Sequence, residues 1–260
     1  MPDSISQLFT KDIYLNRSKL SLFNKEIIEY DMSDAGYSII REHSLLPQKT
    51  IENLSHKSKR DRTYAIGRIQ GKDKEFAQRL HQGFQDAREL FFKLNNIQDD
   101  DILSVKKDAI FTLRQCDHQQ IGNYINFREK HNYSSYVYTG RLEIYYRSTM
   151  SDNPIIDIKG IDDDKVELHK DYMMELLSKY FYHVENRTIG DSISFMRRFC
   201  DRYKLRDLDV GYYRTFDSNS VFIETESGTS FNSYWENEKD NLDIGYNMMY
   251  VILPLMKLLL

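Results

Sequence analysis

The sequence predicts an α+β protein in which an antiparallel sheet packs against helices and the C-terminal part is mostly helical. Apolar residues between Lys74 and Leu94 recur at intervals of three and four, which predicts a helix. The runs Ile102–Val105 and Ala109–Leu113 flank a short polar turn, which predicts a hairpin. Two more helical patterns, Val166–Tyr182 and Ser192–Tyr203, follow in the C-terminal part.

Composition limits the classes of protein that fit. The chain has 260 residues, enough for one large domain or two small ones, and 40% of them are hydrophobic, which favours a folded chain over a disordered one. The net charge of −4 provides no general attraction for nucleic acid, so such binding would need a local basic patch. Cys116 and Cys200 lie too far apart for a zinc knuckle or a disulfide framework, and we expect buried free thiols.

The two ends of the chain carry no signal for a membrane. Residues Met1–Ser4 are polar and lack the basic and apolar segments of a signal peptide, so we expect a cytoplasmic protein. The stretch Val251–Leu260 is apolar but has only about half the length that spans a bilayer. We therefore expect it to pack on the core, with no membrane contact.

The first stretch with chemical content is Ile27–Ile40. Its β-branched start, Ile27-Ile28, predicts a strand that leads to Asp31. The small and polar residues that follow predict a turn, with Ser33 or Asp34 capping a helix from Tyr37 onward. A carboxylate at the end of a buried strand can hold a metal ion together with substrate phosphates.

The run Asp31-Met-Ser-Asp-Ala-Gly-Tyr-Ser-Ile-Ile resembles the first palm motif of family B DNA polymerases, an Asp followed by Ser-Leu-Tyr-Pro-Ser-Ile-Ile. The ending Ser38-Ile39-Ile40 is shared. The run is also similar to the first palm motif of reverse transcriptases, Asp-x-x-Asp-Ala-x-Phe-Ser. Both resemblances imply that Asp31 binds a catalytic metal ion. The alternative is an ordinary strand-turn-helix with a solvated Asp.

The densest positive charge falls between Ser55 and Gly67. On a helix, Lys57, Arg60 and Tyr64 would share one face. The segment resembles the second motif of family B polymerases, Lys-x6-Tyr-Gly on a fingers helix, whose Lys binds the incoming triphosphate and whose Tyr stacks against the sugar. This implies nucleotide binding by those three residues. The neighbouring cations are expected to contact nucleic acid; they are Lys59 and Arg62. The alternative is a solvated basic helix face.

The predicted hairpin turns at Lys106-Lys107-Asp108. It resembles the third palm motif of family B polymerases, an Asp-Thr-Asp-Ser turn followed by an apolar strand. The resemblance implies that Asp108 shares metal ions with Asp31, although Lys106 replaces the first Asp of the turn. In a rival alignment, Asp100-Asp101-Ile-Leu resembles the Asp-Asp-Ile-Leu of reverse transcriptases. Asp100 and Asp101 would then be the partners of Asp31.

The resemblance also implies a domain organisation. We expect a palm-like core in residues 1–150, with a short fingers-like insertion at about 45–70, and a helical thumb-like part in residues 151–260. Lys130 is a further candidate for nucleic-acid contact. So is Lys159, in a Lys-Gly-Ile run similar to one that family B chains carry after the third motif. A hairpin is expected within residues 210–223.

Together these resemblances imply a template-dependent nucleotidyltransferase similar to a reduced or split family B DNA polymerase. Asp31 and Asp108 would hold two Mg²⁺ or Mn²⁺ ions. The expected partners are primer–template nucleic acid, nucleoside triphosphates and a second polymerase subunit. Three alternatives remain open: a reverse-transcriptase-like enzyme that uses Asp100 and Asp101, a non-catalytic accessory protein derived from a palm, and an α+β interaction protein whose motifs are accidental.

Overall fold

A computed structural model describes residues 12–149, 154–160, 163–205, 207–208, 224–225, 228–229 and 251–260. Within these residues the chain forms an α+β fold with seven α-helices and two larger antiparallel sheets. The predicted fold class is therefore confirmed.

The chain divides into two compact units. The first contains the described residues up to Lys19 together with Glu26–Asn132, and the second contains Leu20–Lys25 and the described residues from Tyr133 onward. A boundary near residue 150 was expected. That boundary would separate strands Glu143–Arg147 and Ile155–Lys159, which pair with each other over five residue pairs. Both strands belong to the second unit.

Five strands form the sheet of the first unit, in the order β1-β4-β5-β3-β6. They are β1 (Ile13–Leu15), β3 (Ile27–Met32), β4 (Ile102–Lys106), β5 (Ala109–Thr112) and β6 (Phe127–Tyr133). Four helices connect β3 to β4: α1 (Ala35–Glu42), α2 (Gln48–Ser55), α3 (Lys59–Lys72) and α4 (Lys74–Leu94). A single 3-10 turn, Asp99–Asp101, precedes β4. The strands and the hairpin that the sequence predicts here are confirmed.

Helix α4 is the main support of this sheet. It spans the predicted residues, and the side chain of Asp73 caps it by accepting a hydrogen bond from the amide of Phe76 at 2.9 Å. Its apolar stripe is buried in the core, as expected; the stripe consists of Phe76, Leu80, Phe84, Ala87 and Phe91. Helix α1 crosses α4 at Gly83, where a Cβ would lie 2.4 Å from the side chain of Ile39. Only glycine permits this close approach.

The second unit is a smaller sheet covered by helices. Its strands, in the order β2-β7-β8-β9, are β2 (Ser21–Leu22), β7 (Ser135–Tyr138), β8 (Glu143–Arg147) and β9 (Ile155–Lys159). Its helices are α5 (Asp163–Asn186), α6 (Ile189–Lys204) and α7 (Leu253–Lys257), and the short strands β10 (Glu224–Thr225) and β11 (Gly228–Thr229) pair with each other. The two predicted C-terminal helices are confirmed. The hairpin expected within residues 210–223 lies outside the described residues.

The apolar C-terminal segment and both cysteines are buried. Val251, Ile252 and Leu255 are buried in the core of the second unit, which confirms that the apolar terminal segment packs on the core. Cys116 and Cys200 are buried free thiols, as predicted. In the described parts of the chain, none of the helices combines the length and the apolar character needed to cross a bilayer.

Candidate functional site

Asp31 lies near the C-terminal end of strand β3. Successive side chains of a strand point to opposite faces of the sheet. Ile28, Tyr30 and Met32 are buried in the hydrophobic core of the first unit, so Asp31 lies on the opposite face, where it is half-buried. The strand ends at Met32, and the turn into α1 follows directly. The predicted strand, turn and helix around Asp31 are therefore confirmed.

Asp108 lies in the turn of the hairpin between β4 and β5. Lys106 pairs with Ala109, so the turn has only two residues, Lys107 and Asp108. Asp31, on β3, pairs with Ala109 on the neighbouring strand β5, and the amide of Met32 donates to the carbonyl oxygen of Asp108 at 2.9 Å. Two acidic residues that are 77 positions apart in the sequence therefore meet at one end of the sheet.

Asp31 and Asp108 line the same cavity, which has a volume of about 390 Å³. This volume lies in the range of ordinary small-molecule sites. Four cations join the carboxylates in the lining: Lys59, Lys107, Arg128 and Lys130. Part of the remaining lining is apolar and comes from Met32, Ile66, Leu80 and Phe84. The cavity thus combines three carboxylates, those of Asp31, Asp108 and the Arg62-paired Asp34, with several cations and an apolar wall.

The charges in the cavity act on Asp31 in opposite directions. Burial, together with the nearby charge of Asp108, raises the pKa of Asp31, whereas Lys130, Lys59 and Arg128 lower it. The ammonium of Lys130 also bonds the buried carboxylate of Glu29 at 3.0 Å, so it belongs to a polar network of this sheet face. The net rise in the pKa means that burial of the Asp31 carboxylate outweighs the attraction of these three cations.

Helix α3 supplies a different lysine from the one predicted. The helix begins at Lys59, because Ser58 is its N-cap and accepts a hydrogen bond from the amide of Asp61 at 3.2 Å. Lys57 lies before the helix, so the expected helical face of Lys57, Arg60 and Tyr64 is wrong. The cavity is instead lined by residues at intervals of four, three and four, namely Lys59, Thr63, Ile66 and Gln70. The side chain of Tyr64 is 69% exposed and does not line the cavity.

Arg62, an expected nucleic-acid contact, forms an ion pair with the turn after β3. Its guanidinium pairs with the carboxylate of Asp34 and lies over the ring of Tyr37, 4.7 Å from the ring centre. It also donates to the carbonyl oxygen of Lys57 at 3.1 Å. Asp34 has a left-handed φ of 49° at the N-cap of α1, and its side chain caps no helix amide. The Arg62–Asp34 pair therefore connects α3 to the turn that carries Asp31.

The rival acidic pair lies elsewhere in the sheet. Asp100 and Asp101 precede β4, whereas Asp108 follows it, and five residues at about 3.3 Å each separate Asp101 from the hairpin end of the strand. Asp100 is exposed and pairs with Lys19 at 3.4 Å, and Asp101 accepts a bond from the amide of Gln98 at 2.8 Å. The pairing of Asp31 with Asp100 or Asp101 therefore fails on geometry, since the strand length keeps them apart.

The residues of the cavity fit a divalent cation of the hard type. Mg²⁺ is held in proteins by one or two carboxylates, with water and substrate phosphates completing its shell. Asp31 and Asp108 supply two carboxylates that line one cavity. The described residues contain no group of three or more His, Cys, Asp or Glu side chains arranged to hold a metal. The candidate ligand set is thus the Asp31–Asp108 pair.

The second unit contains a larger groove, of about 480 Å³, lined by residues of α5 and α6. Phe195 and Phe199 line it together with Arg198, and its carboxylate, Glu175, pairs with Lys179. It offers no pair of carboxylates comparable to that of the first unit. Lys159, the remaining expected contact, lies on β9 and pairs with Asp157 at 2.8 Å.

Sequence reasoning missed the contribution of Arg128 and Lys107 to the cavity, and it chose Lys57 over Lys59. One signal was available for the lysine. Ser58 and Asp61 have the spacing of a helix-capping pair, which fixes the start of α3 at Lys59. The position of Arg128 depends on the pairing of strands distant in sequence, which no local pattern reveals.

Comparison with known proteins gives a family. No curated protein matches the chain. A protein-family model described as the bacteriophage PBS1 gene 130 protein matches residues 4–260, and this description names no activity. Since the match covers nearly the whole sequence, the chain belongs to the bacteriophage PBS1 gene 130 protein family.

Proposed function

We propose that the first unit is the palm of a template-dependent nucleotidyltransferase, similar to a reduced or split family B DNA polymerase. The observation that carries the proposal is the shared cavity of Asp31, Asp108 and Lys59. Polymer synthesis needs two carboxylates from different strands and a cation for the triphosphate, all facing one space. The three side chains come from β3, the helix α3 and the β4–β5 hairpin, which is the chain order of the first palm motif, the fingers motif and the third palm motif.

The position of Lys59 improves the resemblance to the second motif. Lys59 is followed after six residues by Ile66 and Gly67, which preserves the spacing of Lys-x6-Tyr-Gly with Ile66 in place of the Tyr. Both Lys59 and Ile66 line the cavity. In this reading Lys59 binds the incoming triphosphate, and Ile66 packs where the family has an aromatic ring.

The residues have distinct roles in the proposed reaction. Asp31 and Asp108 would hold Mg²⁺ or Mn²⁺, which when bound favours ionisation of the primer hydroxyl and neutralises charge on the phosphates. The primer oxygen bonds to the α-phosphorus as the bond to pyrophosphate breaks, and the hydroxyl proton passes to water. Lys59 offsets the negative charge that builds on the leaving group. Arg128 and Lys130, on the edge strand β6, are suited to contact phosphates of the bound strand.

The proposed partners follow from this reaction. They are a primer–template, nucleoside triphosphates and, since the resemblance is to a reduced or split polymerase, a second polymerase subunit. We assign the activity to the cytoplasm, where nucleoside triphosphates are available.

Primer extension tests the proposal. The full chain is incubated with a labelled primer–template, four deoxynucleoside triphosphates, and Mg²⁺ or Mn²⁺. We expect extension by the wild type, loss of it in Asp31→Asn and in Asp108→Asn, and no change in the matched control Asp101→Asn. No extension by the wild type, or equal extension by Asp31→Asn, would overturn the proposed function.

A second candidate function, non-catalytic binding of single strands or of a partner protein, is favoured by one observation. Lys106 stands where the third palm motif has its first Asp, so the hairpin contributes Asp108 as its single turn carboxylate. This candidate predicts salt-sensitive binding that depends on Lys57, Lys59 and Arg60 and is unaffected by chelation of metals. Unchanged binding after charge reversal of all three lysine and arginine side chains would exclude it.

A further inference from the structure

Arg88 is a fully buried cation in the first unit, on helix α4. Its guanidinium donates to the carbonyl oxygen of Lys107 at 2.6 Å and to the carboxylate of Asp12 at 3.1 Å. The amide of Lys107 in turn donates to the backbone carbonyl oxygen of Asp12. Arg88 and Asp12 therefore hold both polar groups of the Lys107 backbone.

The backbone of Lys107 has a positive φ, so the hydrogen bonds from Arg88 and to Asp12 stabilise a strained conformation. Its φ is 52°, in the left-handed region that is strained for a non-glycine residue. Lys107 is also the first of only two residues in the hairpin turn, so a change in its conformation moves the next residue directly. That next residue is Asp108.

A buried guanidinium is itself costly unless it is paired and hydrogen-bonded. Burial lowers the pKa of Arg88, while the hydrogen bond and charge of Asp12 and the charge of Asp108 raise it. Arg88 therefore lies within electrostatic reach of Asp108, although Nη1 and Nη2 of its guanidinium donate to Lys107 and Asp12. An apolar side chain at this position on α4 would pack in the core more cheaply, so stability alone is a weak explanation for Arg88.

We propose that Arg88 is a positioning residue for the metal-binding carboxylate of Asp108. It fixes the peptide group between Lys107 and Asp108, and this sets the direction in which the Asp108 carboxylate faces Asp31. The inference rests on the proposed function, because it assigns Asp108 to a divalent cation. Arg88 itself touches neither substrate nor metal in this arrangement.

Three variants of the full chain test this role. Arg88→Met removes the hydrogen bonds to Lys107 and Asp12. Arg88→Lys retains the charge but lacks the planar guanidinium that reaches both acceptors. Phe91→Leu is the matched control, since Phe91 is also fully buried on α4 and packs against Tyr30 and Phe127. For each variant, Mn²⁺ binding is titrated by electron paramagnetic resonance, kcat and the nucleotide KM are measured, and amide exchange is followed across residues 103–113.

We expect Arg88→Met to weaken Mn²⁺ binding and lower kcat by about 10- to 100-fold, the usual effect of losing a group that orients a metal ligand. The nucleotide KM at saturating metal stays within about two-fold, because Lys59 is untouched, and the hairpin amides exchange faster. Arg88→Lys gives intermediate values. Phe91→Leu lowers the unfolding midpoint but leaves Mn²⁺ binding unchanged.

Wild-type Mn²⁺ affinity and kcat in a folded Arg88→Met would overturn the role of Arg88 while leaving the proposed function intact. A wild type that extends no primer overturns the proposed function instead, so the two failures are distinct. If Arg88→Met does not fold, Arg88→Lys and Asp12→Asn decide the question by the same measurements. Equality of both with the wild type would overturn the proposal.

Discussion

The backbone amide of Met32 donates a hydrogen bond to the carbonyl oxygen of Asp108 at 2.9 Å. This bond extends the ladder between β3 and β5 by one step beyond the Asp31–Ala109 pair. It fixes the backbone of the hairpin turn against the end of the strand that carries Asp31. The separation of the two carboxylates is thus set by sheet pairing, which is more rigid than a loop.

The first prediction concerns the two carboxylates as metal ligands. We expect Asp31→Asn and Asp108→Asn each to lower primer extension by more than about 100-fold, because a ligand matters more than the outer groups that orient it. Asp101→Asn, at the other end of β4, should retain full activity. The measurement is the initial rate of single-nucleotide addition at saturating Mg²⁺. An active Asp108→Asn would remove Asp108 from the metal site.

The second prediction concerns stability and its dependence on pH. Since the pKa of Asp31 is raised above its ordinary value of 3.8, the folded state holds the Asp31 proton more tightly than the unfolded state does. Asp31 therefore stabilises the fold when protonated, at pH below 3.8, and this contribution is lost as the pH rises through the raised pKa. We expect Asp31→Asn to be more stable than the wild type at neutral pH, although it is inactive.

Urea unfolding at pH 4 and pH 7, without metal, checks this. The advantage of Asp31→Asn over the wild type should be larger at pH 7. Added Mg²⁺ should stabilise the wild type and leave the variant unaffected, because only the wild type retains both carboxylates. An advantage that is equal at both pH values would contradict the link to the Asp31 charge.

Much of this fold follows from local sequence. The spacing of apolar residues gives α4 its exact span, because a long amphipathic helix repeats the same signal over several turns. The hairpin of β4 and β5 is equally visible, because two β-prone runs flank a polar turn too short for any other connection. Asp31 and Asp108 fall at the ends of strands that the local pattern predicts, but their choice as a pair comes from the resemblance to palm motifs and not from the pattern itself.

What the sequence hides is long-range pairing. Arg88 lies four residues after Phe84 and three before Phe91, on the buried face of α4, but nothing local indicates its partner Asp12, which is 76 residues away. Arg62 similarly looks like part of a basic patch until its pairing with Asp34 is seen. A charge run predicts how many cations are present, but tertiary contacts decide which of them remain available to a ligand.

The third prediction separates the two lysines near the start of α3. We expect Lys59→Ala to raise the KM for nucleoside triphosphates by about 10- to 100-fold, the effect of losing one charge-assisted contact to phosphate. Lys57→Ala is the matched control, since it removes the same charge two residues earlier, outside the cavity lining. Steady-state kinetics with varied nucleotide measures both. A larger rise in the KM for Lys57→Ala than for Lys59→Ala would instead support Lys57 as the lysine of the second motif.

The fourth prediction concerns the connection between α3 and the turn after β3. Arg62 and Asp34 are partly buried, so their pairing should be worth about 1 kcal/mol, more than a typical surface pair. A double-mutant cycle of Arg62→Ala and Asp34→Ala in urea unfolding gives this coupling free energy. Arg60→Ala, an exposed neighbour on α3, should show no coupling to Asp34→Ala. A coupling near zero for Arg62 would mean that the pair does not hold the turn.

The fifth prediction concerns nucleic acid at the edge strand β6. Arg128 and Lys130 line the cavity beside Asp31, and each phosphate contact that they make releases about one counterion. We expect Arg128→Gln and Lys130→Gln each to weaken binding of primer–template DNA uniformly across sequences and to reduce the salt slope of the binding constant by about one. Lys159→Gln, on β9 of the second unit, provides a comparison for a cation outside the cavity lining, which is paired with Asp157 as Lys130 is with Glu29. Fluorescence anisotropy between 50 and 200 mM salt measures the slopes. Identical slopes for the wild type, Arg128→Gln and Lys130→Gln would show that the bound strand does not follow this edge of the sheet.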